Sequence, residues 1–216
     1  MTTIQNGTRE SLRRALDEYD IFVRYNKAVD IIHKISSWKE MSFSSLVSSR
    51  NAFGLPSNTR GGIRAFANSL LLYSSDGESF IPADDVQSNE LITQYKILLS
   101  KVTCEHAGEP DSTGKFRVLS RMQVIKPNEL CTDSYLIIGG STDKVIVDNT
   151  YQYLKTRFVR FLILQAVTSI NLSKDKFQFV PVQDFSQSWT DEKLYAKYSL
   201  SPDEIAYIES LIKPME

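Results

Sequence analysis

The sequence predicts an α+β fold: N-terminal helices, a central mixed or antiparallel sheet, one long packed helix and a small C-terminal helical cap. Three observations carry this. Apolar residues recur every three to four positions near both ends, short apolar runs between turn residues fill the middle, and two Ser/Thr-led helix starts close the chain. Thr8-Arg9-Glu10-Ser11 followed by Leu12, Ala15, Leu16 and Tyr19 predicts a capped first helix. Residues 26–35 predict a second, with Ala28, Ile31, Ile32 and Ile35 in one stripe and Val29 beside it. A short helix is expected over 42–49. Residues 50–62, rich in Gly, Pro, Asn and Ser, predict an ordered loop. Residues 70–74 and 78–82, split by Ser75-Asp76-Gly77, predict a β-hairpin. Strands over 95–102, 118–125 and 134–138 complete a set of about five, with 106–115 an exposed loop. From 143 to 169 the longest helical pattern puts Tyr151, Leu154, Phe158, Phe161, Leu162 and Gln165 on one face, with Lys155, Arg157 and Arg160 leaving it. Residues 190–197 and 201–212 predict two short helices, the second with Pro202 at its first position. The organisation expected is an α+β domain over 1–172 with a cap over 173–216 packed on it through Trp189, Tyr195, Tyr207 and Ile208.

The composition narrows the function classes. With 216 residues, 42% hydrophobic and 24% charged, the chain has globular proportions, which argues against a disordered tail, a collagen-like chain or a bare coiled coil. A chain of this length buries roughly 70% of its unfolded surface, enough for one sizeable core. The N-terminus shows no basic stretch followed by an apolar one, so the expected location is the cytoplasm. The longest apolar run, 158–170, is interrupted by Arg160 and Gln165, so no membrane span is expected. Cys104 and Cys131 are too few for a four-cysteine zinc site and read as two small buried hydrophobes. Net charge is −1, yet residues 1–72 carry ten basic and six acidic residues while 173–216 carry five and eight. A basic excess at one end is a weak footprint for a polyanion.

Catalytic chemistry is hard to assemble from these residues. Gly61-Gly62 and Gly139-Gly140 match neither phosphate-cradling glycine pattern, and there is no GxSxG or HExxH. His33 and His106 lack a partner that would make either a general base. Asp84-Asp85 lacks the nearby Lys of a metal-dependent nuclease core, and Asp191-Glu192 and Asp203-Glu204 fall in first helical turns, where they complement the helix dipole. No catalytic residue, metal or cofactor is therefore assigned.

Three basic clusters suit a nucleic acid. Arg50, Asn51, Asn58, Arg60 and Arg64 gather on a Gly/Pro loop with Phe53, and Arg and Asn carry paired groups that fit guanine and adenine edges. Lys115, Arg117, Arg121 and Lys126 flank a hairpin, where extended cations neutralise phosphates. Lys155, Arg157 and Arg160 alternate with Tyr153 and Phe158 on the long helix. A solvated loop and a solvated basic helix face have the same appearance.

The C-terminal third adds a resemblance. Tyr153-Leu154-Lys155-Thr156-Arg157-Phe158-Val159-Arg160-Phe161-Leu162, then Phe179-Val180-Pro181-Val182-Gln183-Asp184-Phe185, then Trp189-Thr190-Asp191-Glu192-Lys193-Leu194-Tyr195 and Asp203-Glu204-Ile205-Ala206-Tyr207-Ile208-Glu209 occur in one order. This series resembles the C-terminal region of bacterial type II restriction-modification proteins in which an adenine-specific DNA methyltransferase precedes a target-recognition domain. Ser48-Ser49-Arg50-Asn51-Ala52-Phe53-Gly54-Leu55 and Cys131-Thr132-Asp133-Ser134-Tyr135-Leu136-Ile137-Ile138 look like recognition-domain segments of the same family, and Lys213-Pro214-Met215-Glu216 looks like its C-terminus. The family's glycine-rich S-adenosylmethionine loop and NPPF or NPPY motif are absent here.

The resemblance implies a part that recognises double-stranded DNA by sequence and positions a methyltransferase, and in some members a nuclease, on its site. Arg50, Asn51, Asn58, Arg60 and Arg64 are then expected to contact bases or phosphates, and Lys115, Arg117, Arg121, Lys155 and Arg157 phosphates. The alternative is a protein-interaction module that docks the catalytic part through the aromatic cap without touching DNA.

Overall fold

The computed structural model describes residues 2–5, 8–11, 13, 18–21, 23–104 and 110–215. The expected first helix does not start at Thr8: strand β1 (Thr2–Gln5) pairs antiparallel with β2 (Thr8–Ser11). Threonine and isoleucine favour extended backbone, and the paired strand satisfies the N–H groups that a helix cap would have served. Leu12, Ala15 and Leu16 lie outside the described residues. Tyr19 meets Phe179 edge-on, ring centroids 5.2 Å apart. Helix α1 (Ala28–Ser36) follows as its periodicity requires, burying Ala28, Val29, Ile31, Ile32 and Ile35. Of the helix expected over 42–49, one 3-10 turn forms, Phe43–Leu46, capped by Ser42 and anchored by a fully buried Phe43.

Beyond the β1–β2 pair, the strands divide into two three-stranded sheets, where one central sheet was expected. In the first, β3 (Ser69–Ser74) and β4 (Gly77–Pro82) form the predicted hairpin, and β7 (Glu129–Cys131) adds parallel to β3. Gly77 holds φ +114°, a conformation open to glycine. In the second, β5 (Tyr95–Ser100) is central, antiparallel to β6 (Met122–Ile125) and β8 (Tyr135–Ser141). This sheet is a wall between two cores. Ile97, Leu99, Leu136 and Ile138 face the larger core, and Leu98 and Ile137 face a smaller one with Phe53, Leu55, Leu72, Ile81 and Leu130. An unbroken apolar run is the signature of a strand covered on both faces. Lys96 is the exception: fully buried in β5, its Nζ donates to the carbonyls of Gln94 and Lys126, both at 3.0 Å.

The long helix is two. Helix α2 (Lys144–Lys155) ends and α3 (Arg157–Ala166) begins at Thr156, whose ψ of 149° is extended. Thr156 Oγ1 accepts from Val159 N, and the Asp191 carboxylate accepts from Arg157 N at 3.0 Å and Phe158 N at 2.9 Å. These bonds satisfy the orphan donors of the new helix start and hold the break. The same break turns Arg160 inward, where the sequence pattern had it leaving the apolar face. It is fully buried and donates to the carbonyls of Lys155, Thr156, Arg117 and Lys213.

Helices α4 (Asp191–Lys197) and α5 (Pro202–Leu211) keep their predicted caps, Thr190 and a Ser201–Glu204 capping box. Glu204 also ion-pairs with Lys34 of α1 at 2.7 Å. One large core runs from Val23 to Ile212, so residues 173–216 pack into the same interior as the rest. No helix among the described residues is long and apolar enough to cross a membrane.

Candidate functional site

A polar cleft of about 770 Å3 opens where residues 44–50, the start of β8 and residues 171–178 meet. It presents cations from Arg50, Lys101 and Lys174, carboxylates from Asp133 and Asp175, amides from Asn171 and Gln178, and hydroxyls from Ser44, Ser48, Ser49 and Ser173. Local pairing holds these walls in place. Ser48 N donates to Ile137 O at 2.8 Å, Ile137 N donates to Ser48 Oγ at 3.0 Å, and Leu172 N donates to Lys101 O at 2.6 Å.

Asp133 organises the cleft. Its carboxylate accepts from Arg50 Nη2 at 3.1 Å, from Asn51 N at 2.7 Å and from Lys101 Nζ. Burial alone would raise this carboxyl, but the hydrogen bonds from Lys101, Arg50 and the Asn51 N–H outweigh it and hold the group below the ordinary carboxylate range. It therefore stays ionised and fixes two cations at one wall. The Arg50 side chain is 85% exposed, so a single anchored arm leaves the rest of the guanidinium facing solvent.

The remaining residues of the 50–64 loop do not join it in one surface. Asn51 takes φ +57°, and its side-chain oxygen is buried without a partner among the described residues, which turns it away from any base edge. Arg60 is tied to the β3–β4 turn: Nε to Asp76 at 2.6 Å, Nη1 to the carbonyls of Ser57 and Thr59 at 2.8 Å each, and Nη2 to Ser75 at 3.4 Å. Its donors serve the loop itself. Gly61 lets this loop close on β4, because a Cβ there would sit 2.3 Å from Phe80 O. Asn58 and Arg64 are exposed, Arg64 beside Ile63 at 95% exposure.

The expected phosphate contacts fall into separate places. Arg157 Nη1 lies 2.9 Å from Glu209 Oε1, and Lys115 Nζ donates to Glu209 O at 3.3 Å, so both are drawn toward α5. Lys155 Nζ sits 5.6 Å from the Tyr151 ring centre, a cation–π contact. Arg117, Arg121 and Lys126 are exposed, and the Arg121 carbonyl accepts from Ser100 N at 2.9 Å, next to Lys101.

Lys101, Asp133, Asn171 and Lys174 were not singled out by sequence reasoning. Their pairings join residues such as 50 and 133 or 101 and 172, far apart in the chain, and no local pattern marks them. The described residues include no group of three or more His, Cys, Asp or Glu able to hold a metal. His33 pairs with Glu18 at the surface, and His106 lies outside the described residues. Cys131 is buried as expected, and burial pushes its thiol up to about 12. Cys104 is instead exposed, bonded to Leu119 O at 3.2 Å. Compared with protein-family models, with curated proteins and with solved structures, the chain matches none.

Proposed function

We propose that this chain recognises double-stranded DNA by sequence and positions the methyltransferase part, and in some members of the family a nuclease part, of a bacterial restriction-modification enzyme acting in the cytoplasm. The observation that carries the reading is the wall of the polar cleft, where Asp133 orients an exposed Arg50 beside Lys101. An arginine held on one arm keeps a fork free for a guanine edge or a phosphate, and neighbouring hydroxyls and amides donate to phosphate oxygens. Lys174 across the cleft extends the same positive edge, and Arg121, exposed, keeps its expected phosphate role. Asn58, Arg64 and Arg117 are exposed and keep the base or phosphate roles expected of them. Asn51, Arg60 and Arg157 are assigned to holding the fold. The motif order in the C-terminal third supports the family reading.

Fluorescence polarisation of the purified chain with random-sequence duplex DNA tests it. Binding whose log–log salt slope is near −0.9 per phosphate contact is expected. Absence of binding at low salt, together with salt-independent association with a restriction-modification methyltransferase part, would replace this reading with the docking module.

A further inference from the structure

A second cleft, of about 430 Å3, lies between α4 and α5. Ala196, Leu200 and Ile205 give it an apolar lining, and Glu192 and Glu209 bring carboxylates. Tyr195 lines it as well. That side chain is 6% exposed, and its hydroxyl has no hydrogen-bond partner among the described residues. Buried polar groups in folded proteins are nearly always satisfied, so an orphaned hydroxyl beside a cleft points to a partner from outside.

The charges around that hydroxyl define the partner. Asp191, Glu209 and Glu192 face it against Arg157, and Lys115 Nζ donates to the Glu209 carbonyl at 3.3 Å. Asp191 is committed to the N-terminus of α3, and Glu209 shares Arg157 at 2.9 Å. Glu192 is exposed, and its carboxylate, hydrogen-bonded by Thr190 with Arg157 further off, is held below its ordinary range and so stays ionised. Residues 173–216 carry eight acidic against five basic residues, so the wider field has the same sign. An anion is repelled by this surface, and a purely apolar group leaves the hydroxyl without a partner.

We propose that this cleft receives a lysine or arginine side chain of a partner protein. The apolar stem lies on Ala196, Leu200 and Ile205, the cationic head meets Glu192 and Glu209, and the Tyr195 hydroxyl accepts one of its N–H groups. No residue lining this cleft lines the polar cleft, so the two sites succeed or fail separately.

The test is an NMR titration of the full chain carrying ring-labelled tyrosine. The probes are N-acetyl-lysine methylamide, N-acetyl-arginine methylamide, the neutral N-acetyl-norleucine methylamide, and butylammonium. The lysine or arginine probe is expected to move the Tyr195 ring signals saturably, with norleucine at least about tenfold weaker. Glu192→Gln, an exposed position, is expected to weaken the cationic probe about threefold. Tyr195→Phe removes only the hydroxyl; read through the backbone amide signals of Ala196 and Leu200, since the labelled ring is gone, it is expected to weaken the cationic probe further. Equal response to norleucine, or ring signals that do not move, would overturn the proposal. Butylammonium carries the same stem and head and is expected to move the same signals; failure to do so while the capped lysine binds would overturn the side-chain assignment.

Discussion

Arg50 and Arg60 stand in one loop, and the structure uses them in opposite ways. Arg50 gives one arm to Asp133 and keeps an 85% exposed side chain at the mouth of a polar cleft. Arg60 spends its donors on Asp76, Ser75 and two loop carbonyls, locking the loop to the hairpin turn. The two carboxylates differ in the same sense. Asp133 is largely buried and also takes Asn51 N and Lys101, whereas Asp76 is exposed and held below its usual range first by Arg60 and then by Ser75. The lesson is that an arginine's availability to a ligand is decided by how many acceptors its own fold offers it.

The lysines at either end of β5 extend the contrast and give the largest expected effect. Lys101 meets a carboxylate, while Lys96 is buried against carbonyls alone, and burial lowers it from 10.5 to about 8. Between those values the folded chain has released a proton that the unfolded chain still binds, so stability rises with pH across that window, by about 3 kcal/mol in total. Lys96→Met is expected to abolish that rise, seen as the difference between urea-unfolding curves of the two proteins at pH 7.5 and 10.5. Parallel pH dependence in both would refute the assignment.

Asp133→Ala comes next. It leaves Lys101 half-buried without its carboxylate and frees the Asn51 N–H, and an unfolding free energy lower by about 2 kcal/mol is expected. Because the folded carboxyl lies below its unfolded value, the contribution of Asp133 is complete above about pH 4 and disappears as pH falls through the folded value. Carboxyl-detected NMR titration is expected to show Asp133 low at both 0.05 and 0.5 M salt. Asp76, exposed to screening, is expected to move toward its ordinary value at high salt.

On DNA, Arg50→Ala is expected to weaken duplex binding about tenfold, within the range of a base or phosphate contact. Arg60→Ala is expected to change affinity less than about twofold while making residues 57–64 easier to cleave by limited proteolysis. The reverse ranking would mean that Arg60 leaves Asp76 to meet DNA.

Much of the fold was legible because its signals are local. The α1 stripe, the Ser75-Asp76 hairpin, the apolar β5 run and the Thr190 and Ser201 caps are each readable within a few residues, and each formed as expected. The long helix was misread because its break depends on Asp191, which reaches Arg157 N and Phe158 N from another helix. Thr8–Ser11 looked like a helix start because Ser and Thr caps and Thr-rich strands share residues, and pairing with Thr2–Gln5 decided between them. Of the candidate site, Arg50 was legible and Asp133, its organiser, was not.

The sequence by itself determined an α+β chain, because composition, periodicity and caps act over a few residues. Only the tertiary structure decided which cations face solvent. Arg160, written on a basic helix face, lies at 0% exposure against four carbonyls, while Arg50 remains open beside Asp133. A guanidinium goes where acceptors satisfy it, and two of those acceptors, the carbonyls of Arg117 at 3.2 Å and Lys213 at 2.7 Å, come from residues that only the folded chain brings together.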